Sequence, residues 1–233
     1  KYDLIIDLQN SQRTSIYNFI FRFFSKSIIC SSRPFAQLRY FIPRQGKETT
    51  SEGLANQLKL LKIQPDFSIN YNWLKIKLNN EIKKPLILMI PGVSPGNENK
   101  QWQPNKFAEV AKYFEEKKYN ICVVGTKLDL KSSKPIFENC KKAINKINTS
   151  PPEVIYSIAL MSKLIISNDT GPGHIASLSK NHIIWIVNDN KLTQANIHVN
   201  KNNHKISAKS LKNISASQII QYIKKEKLLD GID

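Results

Sequence analysis

The strongest constraint on this fold is a regular alternation of strand-like and helix-like segments that begins at residue 86. Short apolar runs typical of buried strands lie at 86–91, 120–125, 143–147, 163–167 and 182–187. Segments with helical patterns separate and follow them, at 104–118, 129–142, 150–162, 173–180 and 215–229. Strands that alternate with helices in this way pair in parallel and carry helices on both faces of the sheet. We therefore expect an α/β fold.

Three of these helices carry start signals. Pro104 stands near the first position of its helix, where the missing N–H costs least. Ser150 with Glu153, and Ser215 with Gln218, have the spacing of a capping box, in which two side chains satisfy free backbone N–H groups at a helix start. The sequence thus predicts where each of these helices begins.

The first 84 residues show a weaker pattern. A strand-like run at 2–8 precedes helical segments at 15–27 and 49–63, and the polar stretch 64–84 is typical of a linker. Because the chain enters a strand directly after Lys1, we expect a further N-terminal portion to precede it. The predicted domains are 1–84, with its linker, and 85–233.

Composition limits the location and the class of site. The chain of 233 residues has no secretory signal pattern and no apolar run near the roughly 20 residues that span a bilayer. Its three cysteines, Cys30, Cys122 and Cys140, are far apart, which predicts reduced thiols and no zinc site. We expect a cytoplasmic protein, with peripheral contact at the inner membrane as a further possibility.

The formal net charge of +17 favours an anionic partner. All five arginines lie within the first 44 residues, and arginine suits phosphate and carboxylate better than lysine does. A basic, non-catalytic module that binds RNA or a nucleotide would also explain the charge. The aromatic residues do not alternate with basic ones as a base-stacking surface requires, so no nucleic-acid partner is expected.

One helical segment carries an apolar stripe, which we expect to pack in the core of the N-terminal domain. The flanking basic residues Arg22 and Lys26 predict charge-driven peripheral contact with an anionic membrane surface. The stripe consists of Ile16, Phe19, Ile20, Phe23 and Phe24.

Three loops follow strands of the predicted parallel sheet, at 92–103, 125–129 and 168–173. Ligands bind such sheets outside the carboxyl ends of the strands, so the three loops should share one edge. A nucleotide or phosphorylated ligand is therefore expected at this edge.

The loop at 168–173 has the strongest signal. Gly171 permits close backbone approach, Thr170 adds a hydroxyl, and His174 lies in the first turn of a helix whose N–H groups favour a phosphate. Asp169 is unexpected beside a bare phosphate, but it can cap the helix or orient His174. A tight turn with an aspartate cap explains the same residues equally well.

The other two loops contribute fewer groups. Ser94 offers a hydroxyl and Lys100 a charge that can neutralise a leaving diphosphate, while a solvated lysine is the alternative for Lys100. Trp102 is expected to pack under the following helix. Asp129 is placed either to bind ribose hydroxyls or to cap a helix.

Four segments together resemble glycosyltransferase family 9, the ADP-heptose:lipopolysaccharide heptosyltransferases. In that family a loop containing Gly and Ser leads to K-x-W-P, and D-[ST]-G-x-x-H opens a helix. The resemblance runs from residue 2 to about 187. The segments are YDLIIDLQNSQRTS, PGVSPGNENKQWQPNKFAEVAKYF, ICVVGT and LIISNDTGPGHIASLSK.

The resemblance implies a GT-B architecture of two Rossmann-like domains that face a cleft, the N-terminal one incomplete. It implies inverting, metal-independent sugar transfer from a nucleoside-diphosphate donor such as ADP-heptose, without a cofactor, to an anionic envelope glycolipid. The usual catalytic aspartate is expected before residue 1, with Asp7 as fallback. The implied acceptor contacts are Gln9 and Arg13. The implied donor contacts are Ser94, Lys100, Asp129, Asp169, Thr170, Gly171 and His174.

The resemblance leaves alternatives for the specificity and for the class of reaction. The chain departs from the family pattern at 188–203, where an F-G-P-T-D-P-like turn is usual, so sugar and base specificity are undetermined. A nucleotide-sugar epimerase with the same architecture is the enzymatic alternative.

Overall fold

The computed structural model describes residues 2–43, 48–66, 70–78, 81–189, 197 and 201–229. The chain divides into two compact units, Lys1–Ile69 and Asn70–Asp233, which we call the N-terminal unit and the C-terminal unit. Both units contain parallel sheets with helices, so the predicted α/β class is confirmed.

The N-terminal unit contains a small parallel sheet in the order β1-β2-β3. Ile29 and Cys30 in its middle strand are fully buried, and the side-chain amide of Gln57 donates to the carbonyl of Asp7 over 2.8 Å. The second helix begins with a capping box formed by Thr49 and Glu52. The elements in chain order are β1 (Leu4–Ile6), α1 (Gln12–Phe24), β2 (Ile28–Ser31), β3 (Leu38–Arg39) and α2 (Thr50–Lys59).

The prediction that the stripe of α1 packs in the core is wrong. The helix buries Thr14 and Asn18 instead, and the amide of Asn18 donates to the carbonyl of Pro34 over 3.4 Å. All five stripe residues are exposed, Phe24 to 80%. Helical periodicity shows that a helix has an apolar face but not which of its faces meets the sheet. The predicted contact with a membrane surface stays a prediction.

The C-terminal unit is built on a six-stranded parallel sheet in the order β6-β5-β4-β7-β8-β9. All pairs are parallel, so the carboxyl ends of the six strands share one edge. The order reverses between β4 and β7, the arrangement of the Rossmann fold. The strands are β4 (Leu86–Ile90), β5 (Asn120–Gly125), β6 (Ile144–Ile147), β7 (Leu164–Asn168), β8 (His182–Asn188) and β9 (Asn203–Ala208).

Helices cover both faces of this sheet, as predicted. Three helices pack on one face through Phe107, Ile136 and Ile219, and two pack on the other through Ile158 and Ala176. Alternate residues of β4 point to opposite cores because side chains alternate along a strand. The helices are α3 (Pro104–Glu116), α4 (Leu130–Asn139), α5 (Pro152–Met161), α6 (Gly171–Ser177) and α7 (Ala216–Lys225).

Part of the segment expected to be a linker, 64–84, belongs to the C-terminal unit. The backbone N–H of Ile76 donates to Ser157 Oγ of α5 over 2.9 Å, and Ile82 is buried in the core on that face of the sheet. Glu81 also pairs with Lys146 of β6 at 3.0 Å. The boundary between the compact units therefore lies at 69/70 rather than at 84/85.

Two of the three predicted helix starts are confirmed. Pro104 occupies the first turn of α3, and Ser215 and Gln218 form both hydrogen bonds of a capping box on α7. The box at Ser150 and Glu153 is wrong: α5 has no side-chain cap, and Ser150 Oγ instead accepts from the backbone N–H of Gly125 over 3.3 Å. The Ser150 hydroxyl therefore bonds to the backbone of Gly125 at the end of β5 instead of to the start of α5.

Strand β9 brings together a cluster of titratable groups that was not predicted. His204 of β9 lies 3.1 Å from the ring nitrogen of His182 on β8 and 3.1 Å from the hydroxyl of Tyr222 on α7. Burial, and then the nearby His182, hold the pKa of His204 below its ordinary value of 6.5, while Glu226 acts in the opposite direction.

This cluster predicts a pH dependence of stability. A histidine whose pKa is lowered by folding binds fewer protons in the folded chain than in the unfolded chain, so the free energy of unfolding should fall as pH drops below 6.5. Melting curves between pH 7.5 and 5 should show this decline, and His204→Leu should flatten it. An equal decline in the variant would show that His204 is not its source.

Among the described residues, no helix is long and apolar enough to cross a membrane. The cysteines Cys30, Cys122 and Cys140 are all buried free thiols, and burial raises the pKa of Cys122 to about 12. A thiol with so high a pKa carries little thiolate at neutral pH and is a poor nucleophile.

Candidate functional site

The candidate site lies where the strand order of the C-terminal sheet reverses. Strands β4 and β7 are neighbours there, and their chains leave the sheet in opposite directions at the shared carboxyl edge. The loop 91–103 follows β4, and the turn 169–170 follows β7 and leads into α6. Open α/β sheets bind ligands at this point because the diverging connections leave a crevice.

Three charged or titratable side chains meet at this position. Lys100 Nζ lies 2.9 Å from Asp169 Oδ2, and His174 Nε2 lies 3.2 Å from Asp169 Oδ1. One carboxylate therefore holds a lysine from the loop after β4 and a histidine from the first turn of α6. We call these three residues the charged triad. It joins two of the three loops that the sequence predicted to share an edge.

Exposure within the charged triad is uneven. The side chain of Asp169 is 6% exposed, whereas those of Lys100 and His174 are 31% and 45% exposed. Hydrogen bonds from His174 and then Lys100 lower the pKa of Asp169, although burial acts against them. A lysine ammonium has three donors, and Asp169 takes one, so the triad can present N–H groups to an anion at the surface.

The ring of His174 packs against a buried tryptophan of the sheet. Its ring centroid lies 4.9 Å from that of Trp185, a buried residue of β8. Gly173 allows this contact, because a Cβ at that position would collide with Ser167 Oγ and with the Trp185 ring, 2.7 Å away. The second glycine of the motif thus serves helix packing. At Gly171 a Cβ would meet no atom within 4 Å, which leaves open space beside the backbone.

The loop that carries Lys100 is anchored by Trp102, which is fully buried as predicted. Its ring lies edge-on to Phe107 of α3, with centroids 4.9 Å apart, and its Nε1–H donates to the carbonyl of Ile214 over 2.9 Å. The backbone N–H of Trp102 donates to Asn168 Oδ1 over 3.0 Å. Sequence reasoning missed Asn168, for which a polar residue ending an apolar strand was the available signal.

Asp129 lies in the third loop at the same edge of the sheet, but its carboxylate is already hydrogen-bonded within its own turn. Oδ2 accepts from the backbone N–H of Thr126 at 2.7 Å and from the Thr126 hydroxyl at 2.9 Å. A Cβ on Gly92 or Gly125 would collide with this carboxylate, so both glycines let it sit beneath the loops. The carboxylate is the third-residue partner of a capping box with Thr126, and Asp129 makes no side-chain cap at the start of α4, so the N-cap alternative is wrong. Contact with a ribose stays a prediction.

The remaining donor-side residues, Ser94 and Thr170, differ in exposure. Ser94 is exposed in the loop after β4, where its carbonyl accepts from the backbone N–H of Asn97 over 3.1 Å. Thr170 is largely buried at the N-cap position of α6, yet its hydroxyl makes no capping bond to that helix. Their roles toward a ligand stay predictions.

In the N-terminal unit, Asp7 has a structural role. Its Oδ1 accepts from the backbone N–H groups of Gln9 and Asn10 at 3.1 and 2.9 Å, and its Oδ2 accepts from the Ser31 hydroxyl at 2.8 Å. These bonds shape the turn after β1. Gln9 and Arg13 are both exposed on or next to this turn, which leaves them accessible to a ligand.

Comparisons with known proteins agree on one family. The family model for glycosyltransferase family 9 (heptosyltransferase) matches residues 1–212. Lipooligosaccharide heptosyltransferase 2 of Campylobacter jejuni serotype O:6 is 26% identical over 176 residues, which cover 70% of this chain and 55% of that protein. The serotype O:2 protein of the same name is 25% identical over 215 residues, 87% of this chain and 66% of the relative. The chain thus spans about half to two thirds of the length of these relatives.

Solved structures show the same fold. A glycosyl transferase family 9 protein from Veillonella parvula superposes with a TM-score of 0.72 at 20% identity, covering 97% of this chain and 74% of that one. The E. coli heptosyltransferase WaaC with ADP superposes with a TM-score of 0.74 at 16% identity, covering 97% and 73%. Most of the segment 188–203, where the chain departs from the family pattern, lies outside the described residues.

Proposed function

Because this chain belongs to glycosyltransferase family 9, we propose that it transfers a sugar from a nucleoside-diphosphate donor to an envelope glycan. The names of its relatives favour heptose as the sugar and a lipooligosaccharide as the acceptor. The ADP in one superposed heptosyltransferase favours ADP-heptose as the donor. No cofactor enters this proposal.

The observation that carries the proposal is the charged triad at the strand reversal. Lys100 and His174 are partly exposed and are held by one buried carboxylate, so their positions are set before any ligand arrives. A preorganised cation beside a diphosphate stabilises the charge that develops when that diphosphate leaves. In this proposal Lys100 contacts the diphosphate, and His174 donates to the phosphate or to a sugar hydroxyl.

Asp169 has a supporting role in this proposal. Its two oxygens are occupied by Lys100 and His174, and its side chain is nearly buried. A carboxylate facing the diphosphate would repel it, whereas one buried behind two cationic or donor groups keeps them aimed outward. This explains why the motif places an acid next to a predicted anion site.

The proposed reaction is a single displacement with inversion. A carboxylate removes the proton from the acceptor hydroxyl, the acceptor oxygen bonds to the anomeric carbon, and the bond from that carbon to the diphosphate oxygen breaks. The diphosphate leaves with both electrons of that bond, and Lys100 offsets its charge without a metal ion. Asp7 is a weak candidate for the base because three hydrogen bonds already occupy its oxygens.

The acceptor side of the proposal uses the exposed residues after β1. Gln9 and Arg13 can donate to phosphate or carboxylate groups of an anionic glycolipid, and arginine binds such groups in a bidentate fashion. Their exposure and the positive charge of the chain support this role.

A transfer assay tests the proposed function. The full-length protein, with any residues that precede Lys1, is incubated with ADP-heptose and a heptose-deficient lipooligosaccharide, and the mass of the product is measured by mass spectrometry with EDTA or manganese present. We expect a mass increase of one heptose that EDTA does not reduce. Turnover that EDTA abolishes and manganese restores would contradict the metal-independent mechanism. Nucleotide binding without transfer would favour the non-catalytic alternative.

A further inference from the structure

The loop that carries Lys100 is tied at both ends to a single side chain. Asn168, which is fully buried at the end of β7, donates through Nδ2 to the carbonyl of Pro91 over 2.8 Å. Its Oδ1 accepts from the backbone N–H of Trp102 over 3.0 Å. Pro91 begins the loop after β4, and Trp102 stands two residues beyond Lys100. One amide therefore closes the loop across its base.

A second asparagine ties the same loop from the neighbouring strand. Asn188, the last residue of β8, donates through Nδ2 to the carbonyl of Asn99 over 2.6 Å. Asn99 directly precedes Lys100. The backbone around Lys100 is thus bonded to the ends of two adjacent strands, β7 and β8, which are themselves paired in register.

From this geometry we propose that Asn168 and Asn188 are positioning residues that set the place of Lys100. Asn168 directly precedes Asp169, so one strand end supplies both the tie for the loop and the carboxylate that holds the lysine. The inference rests on the proposed function, because it assigns these amides a role in diphosphate binding. Neither residue needs to touch the ligand.

The chemistry of the amide explains why asparagine is used at position 168. Both halves of its side chain are occupied: the NH₂ group donates to one carbonyl, and the oxygen accepts one N–H. Alanine can do neither, so it would leave the buried backbone N–H of Trp102 without its partner. Aspartate cannot donate, so the Pro91 carbonyl would keep only the 3.3 Å bond from Gln101 Nε2. The loop would then relax away from β7.

Calorimetric titration with ADP tests this inference. Lys100→Ala should weaken ADP binding, and Asn168→Ala should raise the Kd by about tenfold, which is about 1.4 kcal/mol. In the Lys100→Ala background, adding Asn168→Ala should change the Kd by less than about twofold, because residues that act through one contact are not additive. Asn188→Ala should give a smaller loss with the same dependence on Lys100.

Asn181 provides a matched control for a purely structural role. Its Nδ2 donates to the carbonyls of Ala159 and Ser162, both at 2.8 Å, just before the opposite end of β8. Asn181→Ala should lower the melting temperature and leave the Kd for ADP unchanged.

The possible outcomes separate the inference from the proposed function. Wild-type chain that fails to bind ADP would contradict the proposed function and the inference with it. Wild-type binding that Lys100→Ala weakens, but that the Asn168 and Asn188 variants leave intact, would overturn the inference alone. If Asn168→Ala does not fold, Asn188→Ala, which removes one exposed bond, decides the matter in the same assay.

Discussion

Replacing Trp102 with alanine should lower the unfolding free energy of the C-terminal unit by about 3–5 kcal/mol, the usual cost of removing a buried tryptophan. The side chain is fully buried against Phe107, and its Nε1–H bonds to the carbonyl of Ile214. Truncation would leave a cavity beside α3 and release the end of the loop that carries Lys100. Urea denaturation followed by circular dichroism measures the loss.

Trp73 provides the matched control, since it is the same residue type and is 76% exposed. Trp73→Ala should change the unfolding free energy by no more than about 0.5 kcal/mol. Trp102→Phe should cost less than Trp102→Ala, because phenylalanine refills most of the volume that the indole leaves. In both variants the Ile214 carbonyl still accepts from Lys106 Nζ over 2.7 Å. Equal stability of the Trp102→Ala and Trp73→Ala chains would contradict the packing described for the loop.

Replacing Lys100 with alanine should raise the Kd for ADP by about tenfold to a hundredfold, because a hydrogen bond to a charged group contributes about 1.5–3 kcal/mol. The same variant leaves Asp169 with His174 as its one remaining partner in the charged triad. A modest fall in melting temperature should therefore accompany the loss of affinity. Calorimetry at fixed ionic strength gives the Kd, and a thermal melt gives the second quantity.

A lysine at the amino-terminal ends of the strands serves as a control for the loss of positive charge. Lys142 is exposed just before β6, so Lys142→Ala removes the same charge far from the carboxyl ends of the strands. Its Kd for ADP should match that of the wild-type chain. A similar weakening in both variants would indicate that only the overall positive charge attracts the nucleotide.

Apolar periodicity was sufficient to predict most of the C-terminal sheet. Strands β4 to β8 are short apolar runs with helices between them, and such runs have few alternatives to a buried parallel sheet. Strand β9, Asn203–Ala208, was missed because its residues are mostly polar, as an edge strand that pairs on one side permits.

The prediction for α1 was wrong for a different reason. Its apolar stripe has correct helical spacing, yet Thr14 and Asn18 are the buried residues and the stripe is exposed. The face of α1 that is buried meets partners distant in sequence, such as the carbonyl of Pro34, which accepts from Asn18. A pattern within thirteen residues carries no information about such contacts.

The candidate site was predicted at the level of loops but not of contacts. Parallel strands place their following loops at one edge, so sequence alone indicated that Lys100 and Asp169 lie near each other. Their ion pair depends on β4 and β7 being neighbours, which requires the strand order of the whole sheet. For the same reason the sequence did not predict the role of Asn168. Its hydrogen-bond partners are 66 and 77 residues away in the chain.

In the proposed function, the C-terminal unit binds the diphosphate of a nucleotide-sugar donor at the strand reversal. The most direct test is calorimetric titration of the wild-type chain with ADP and with AMP in the presence of EDTA. We predict saturable binding of ADP that is at least about tenfold tighter than that of AMP, because the second phosphate contributes a charged contact. Equal affinities for the two nucleotides, or no binding of ADP without a divalent metal, would contradict the claim.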